Sequence, residues 1–69
     1  MQLSMPECMA LADVGDTVIA DGRRYTVTWV NFIMCKRGVR VRNKATGQYY
    51  DLQGVAEPGS PVTLVRRNA

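Results

Sequence analysis

The chain contains no histidine. It therefore lacks the one side chain that titrates near neutrality unaided, and acid–base chemistry would fall to a carboxylate, lysine, tyrosine or cysteine with a displaced pKa. The carboxylates are scattered, and Asp16 and Asp21 stand at turn positions that explain them structurally. Serine occurs only at Ser4, placed to cap a helix, and at Ser60, in a Pro-rich loop with no evident base. No glycine-rich phosphate loop is present. These absences point away from an enzyme, with no catalytic residue to name, and towards a protein that works by binding.

Other classes fall the same way. Cys8 and Cys35 are the two cysteines, and neither belongs to a Cys-x-x-Cys pair. Two thiolates without an imidazole do not complete a zinc site, so no metal or cofactor is expected. In a reducing compartment both are expected as buried free thiols rather than a disulfide. No apolar run approaches the ~18 residues of a membrane span. Met1–Glu7 lacks the basic start and apolar stretch of a secretory leader. A cytoplasmic protein with no membrane partner is the expectation. Met5 and Met9 offer alternative starts, so little weight rests on the first residues.

What is present is a chain of 69 residues, 46% hydrophobic and 22% charged, which suits one small domain over residues 1–69. At this size stability has little reserve, and large apolar residues are assigned first to the core. The net charge of +3 is unevenly spread. Residues 1–22 hold Glu7, Asp13, Asp16 and Asp21 and no base, a charge of −4. Residues 23–69 hold all nine Lys and Arg against Asp51 and Glu57, hence +7. Such asymmetry suits an anionic partner or packing of one half on the other.

Local patterns divide the chain. Ser4-Met5-Pro6-Glu7 has the spacing of a capping box, and a short helix over about residues 5–12 follows, with Gly15 placed to stop it. From Asp16 the apolar period is two, and a barrel over about residues 16–65 is expected. Asp21-Gly22 suits a two-residue type I′ turn, which pairs Ala20 with Arg23 and Val18 with Tyr25. Val18, Ala20, Tyr25, Val27 and Trp29 then face the core. Asn31–Cys35 is apolar without alternation, which suggests a bulge or a doubly buried strand, and Lys36-Arg37-Gly38 reads as a turn. A four-residue loop, Lys44–Gly47, pairs Arg42 with Tyr49, Val41 with Tyr50, Arg40 with Asp51 and Val39 with Leu52. That register puts the apolar pairs inside, with an Arg40–Asp51 ion pair and an Arg42–Tyr49 cation–π pair outside. Gln53–Ala56 suits a tight or 3₁₀ turn, Val62–Val65 a last strand, and Arg66–Ala69 a frayed tail.

The sum is a mostly β protein: five short strands closing into a barrel, with a short N-terminal helix. From Val14 to Val65 the chain resembles the SH3-like small barrels, including Tudor-like and KOW-like modules. The resemblance rests on Val14-Gly15-Asp16-Thr17-Val18, Gly22-x-x-Tyr25-x-Val27 and Tyr50-x-Leu52-x-x-Val55. It implies a fold, with the last strand returning beside the first. It carries over no functional residue, because the KOW glycine spacing beyond Gly22 and the aromatic cage of methyl-lysine readers are missing.

The candidate site is Lys36, Arg37, Arg40, Arg42 and Lys44, five cations in nine residues without an acid, with Tyr49 beside Arg42 to stack a base. Arg23-Arg24 and Arg66-Arg67 are further basic pairs, the latter expected near the acidic N-terminal segment. Phe32 and Met34 belong to an apolar stretch that, if exposed, suits a homodimer or protein interface. Two functions compete. One is a binding module for nucleic acid, or for a complex that processes it, acting through the basic hairpin. The other is a protein-interaction factor with an acidic partner surface, such as a small regulator or inhibitor of a larger enzyme of the phage or plasmid accessory type.

Overall fold

Ser4 starts the first helix by accepting the Glu7 N–H at its hydroxyl, while the Glu7 carboxylate accepts the Ser4 N–H. Those bonds favour the ionised carboxylate and hold Glu7 below its ordinary pKa. The helix, α1, runs Met5–Leu11 with Pro6 in its first turn. It ends at Ala12 rather than at Gly15, because Ala12 adopts an extended conformation while its N–H still reaches the Cys8 carbonyl. Gly15 instead sits in the following turn at φ +96°, and its N–H donates to Val27 O at 2.9 Å.

A computed structural model describes residues 1–67, so Asn68 and Ala69 of the expected tail lie outside the described residues. The strands are β1 (Gln2–Leu3), β2 (Thr17–Ala20), β3 (Arg23–Ile33), β4 (Lys36–Asn43), β5 (Tyr49–Asp51) and β6 (Val62–Val65). A 3₁₀ turn, Leu52–Gly54, separates the last two. All pairings are antiparallel, in the order β1-β6-β2-β3-β4-β5, and the sheet curls into a half-barrel. Six strands replace the five expected. The extra one, β1, is two residues long and leaves no periodicity to read, yet Leu64 N–H reaches Met1 O at 2.7 Å. Nor does the sheet close by hydrogen bonds, since β1 and β5 are its two ends.

Both predicted hairpin registers appear. Val18 opposes Tyr25 and Ala20 opposes Arg23 around Asp21-Gly22, where both corner residues take positive φ. Beyond β4, Arg42 opposes Tyr49, Val41 opposes Tyr50 and Arg40 opposes Asp51. Asn43 builds that second turn: its buried side chain accepts the N–H groups of Ala45 and Thr46 at 2.8 and 3.0 Å. Leu52 leaves the strand for the 3₁₀ turn and is fully buried.

The core lies on the inner face, where Val18, Ala20, Tyr25, Val27, Val39, Val41, Leu52, Val62 and Leu64 meet Cys8 and Ala12 of the helical segment. Burying a Val or Leu side chain contributes roughly 1.5–3 kcal/mol, so α1 is held by what Cys8 and its neighbours bury rather than by its seven residues alone. Among the described residues no helix is long and apolar enough to cross a membrane.

One irregularity reorganises the outside. Between Val27 and Trp29 the β3–β4 register slips, so that Val27 opposes Val41 but Trp29 opposes Arg40 and Val30 opposes Val39. The bulge expected at Asn31–Cys35 therefore lies at Thr28. Its cause is a spacing mismatch: Val39 and Val41 are two apart on β4, while Val27 and Val30 are three apart on β3, and one unpaired residue lets both pairs point inward. Trp29, expected in the core, is thereby turned to the outer face. The next turn is Met34-Cys35 rather than Lys36–Gly38, both corners at positive φ, and it leaves Cys35 an exposed free thiol instead of a buried one.

Candidate functional site

Strand alternation sorts the cations of the middle hairpin. Val39, Val41 and Asn43 are buried, so Lys36, Arg40 and Arg42 share the outer face of β4 and Arg37 falls on the inner one. Arg37 is accordingly drawn to the helical segment, donating to Met9 O at 2.6 Å and to the Asp13 carboxylate at 2.9 Å. It does not stand with the other four. Lys44, in the turn beyond β4, folds back across the sheet and donates to the Thr17 hydroxyl at 3.0 Å.

Arg24 joins them from β3. It precedes inward-facing Tyr25, so it points outward, and its carbonyl accepts the Lys44 N–H at 3.0 Å. An open groove of about 470 Å³ lies between the two turns, lined by Arg24, Lys44, Asn43 and Thr46 among others. Trp29 and Tyr49 supply the aromatic surface. The Arg40 guanidinium stacks over the Trp29 ring at 4.7 Å and also reaches Asp51 at 3.6 Å. The cation–π pair thus forms with Trp29, whereas Arg42 leans over Gly47, where an added Cβ would lie 3.1 Å from its guanidinium. Gly47 keeps this approach open and also holds φ +78° in the turn. Tyr49 is left 66% exposed, while Tyr50 tucks its ring edge-on to Tyr25 at 5.9 Å.

The charge asymmetry is largely settled within the chain. Asp13 pairs with Arg37 and Arg66, Asp16 with Arg66, and Asp21 with Arg23. Arg66 and Arg67, read as tail, are pinned: Asp16, itself buried, also accepts the Arg67 N–H. This is the meeting of the basic pair and the acidic segment that the return of β6 beside β2 brings about. After these pairings Arg24, Lys36, Arg42, Lys44 and Arg67 have no carboxylate partner among the described residues. Four of the five belong to the β3–β4 hairpin and the turn after it, with no acid between Gly22 and Tyr50.

Sequence reasoning missed Trp29 and Arg24 as members of this face. The three-residue spacing of Val27 and Val30 against the two-residue spacing on β4 was the available signal for Trp29. For Arg24 it was the register set by Asp21-Gly22, which puts it on the face opposite Tyr25. A larger hollow of about 680 Å³ beside Val55–Pro61 carries Asp21 and Glu57 and no Lys or Arg, so it does not extend the basic face. Among the described residues no acidic or thiol side chains cluster as metal ligands would. Comparison with protein-family models, curated proteins and solved structures gives no match.

Proposed function

We propose that this chain is a small non-catalytic binding module of SH3-like barrel architecture, and that the outer face of β3–β4–β5 binds nucleic acid. The architectural part is supported by the strand order, in which β6 returns beside β2 after a 3₁₀ turn, as the resemblance implies. The functional part is carried by one observation. Arg24, Lys36, Arg42 and Lys44 stand without carboxylate partners among the described residues, on the face that also presents the exposed Tyr49 and a half-buried Trp29 capped by Arg40. Cations of this kind neutralise phosphates, and exposed aromatic faces stack on bases whatever their sequence.

Salt dependence tests it quantitatively. Each neutralised phosphate of a duplex contributes about −0.9 to the slope of log K against log salt, so four cations give roughly −3 to −4. Fluorescence anisotropy with labelled oligonucleotides measures that slope. Arg42→Gln combined with Lys44→Gln should reduce its magnitude by about 2. An affinity indifferent to salt and to both substitutions refutes the reading and favours the protein-interaction alternative.

A further inference from the structure

The β3–β4 hairpin is longer than the sheet that supports it. Strand β2 covers only Arg23–Thr26 of β3, and β5 covers only Arg40–Arg42 of β4. The far end therefore runs beyond both as a two-stranded ribbon, braced on its inner face where Arg37 bonds to Met9 O and Asp13; Ile33, opposite Lys36, stands on its outer face and Phe32, opposite Arg37, on its inner one. Its apex is apolar and open: Phe32 is 67% exposed, Ile33 56% and Met34 90%. Type I′ corners favour Asn and Gly, yet Met34 and Cys35 occupy them at φ 52° and 64°. An apolar apex in this geometry costs stability, which is a reason to ask what it contacts.

Charge selects the occupant. A second copy would bring two acid-free arms together, and the chain's own acids offer little relief. Asp13, Asp16, Asp21 and Asp51 are already ion-paired and Glu7 is bound in the helix cap, which leaves Glu57 alone among the described acidic side chains without such a contact. A polyanion fits better. The outer-face cations run from Lys36 at the arm to Lys44 at the opposite end, eight residues or roughly 26 Å of strand. An anionic bilayer entered by the apex would meet only Lys36, the rest standing beyond a Debye length of about 8 Å. Phosphates along a duplex can meet the whole row. A two-stranded ribbon also fits a DNA groove, and apolar side chains between base steps are a general means of bending a duplex.

We propose that Ile33 and Met34 form an apolar wedge that enters double-stranded DNA between base steps and bends it, while the outer-face cations hold the flanking phosphates. This rests on the nucleic-acid reading above and names its partner as a duplex that can be kinked.

The probe is an end-labelled duplex of about 30 base pairs, intact or with a central mismatch, read by energy transfer between its ends. Wild-type protein should shorten the end-to-end distance and bind the mismatched duplex about ten-fold tighter, since unstacking is cheapest there. Ile33→Ser with Met34→Ser should keep the melting profile and the salt slope, abolish the bend and bring the mismatch preference to within about two-fold. Met34→Asn with Cys35→Gly, which suits the turn while removing the apex methionine, should lower the bend without unfolding the arm. A bend unchanged by the serine pair, an unbent duplex, or a preference for single strands overturns the wedge and leaves the nucleic-acid reading standing. Absence of all nucleic-acid binding overturns both. Phosphatidylserine vesicles bound through the apex without duplex bending, or a dimer dissolved by Ile33→Ser, also overturns the wedge.

Discussion

Removing the Asp16 carboxylate should cost this domain more than any change to its exposed ion pairs. Its side chain is 3% exposed, accepts the Asp13 N–H at 2.9 Å and the Arg67 N–H, and forms an ion pair with Arg66 Nε at 3.3 Å. In Asp16→Ala the two backbone donors lose a charged acceptor in a partly buried setting, at about 1–1.5 kcal/mol each. The Arg66 contribution is smaller, because its side chain is 46% exposed and it keeps Asp13 at 3.3 Å, so solvent holds it well below 1 kcal/mol. The total is about 3 kcal/mol, which for a domain of this length lowers the melting temperature by roughly 12–24 °C. Asp16→Asn retains one carbonyl oxygen for one of the two N–H groups and should lose about half as much. Thermal and urea melts followed by circular dichroism measure both. A drop under about 4 °C for the alanine variant, or an asparagine variant equally damaged, would show that α1 and the chain end are held by packing alone.

Three further outcomes follow from the core and the thiols. Leu52→Ala, at a fully buried position, should cost about 2–5 kcal/mol in a urea melt and release the end of β5. Cys35 should react at once with a thiol reagent, while Cys8 reacts only as the domain unfolds. Burial first, and then the Asp16 carboxylate, push the Cys8 thiol above its ordinary value of 9.0. The folded protein thus holds the proton more tightly than the unfolded chain does. That stability is complete below pH 9.0 and declines as pH rises from there towards the folded value, because only the unfolded thiol ionises. The urea midpoint of the native protein should fall over this range by more than that of Cys8→Ala.

The residues differ in how openly they announce their places. Asp21-Gly22 and the Lys44–Gly47 loop could be read to the residue, because a turn of given length admits one register that keeps Val18, Tyr25, Val41 and Val39 on one side. The capping box was equally plain, since Ser4 and Glu7 lie within one helical turn. Trp29 was not. Its phase with Tyr25 and Val27 is genuine, and it is broken only because β4 requires Val30 opposite Val39. Arg37 looked like part of a basic ridge until the helical segment, 24 residues earlier in the chain, took it.

The sequence by itself determined the short helix, five of the six strands in outline, the two hairpin registers and the segregation of acid from base, because turn chemistry, strand alternation and capping act over a few residues. Only the tertiary structure decided which cations remain without partners. Asp13 meets Arg66 across 53 residues, and Asp16 finds the chain end because β6 returns beside β2. The bulge that turned Trp29 outward belongs to the same class, since it answers to the spacing of a partner strand rather than to its own. Partnering through space depends on where the whole chain has closed, and no local pattern encodes it.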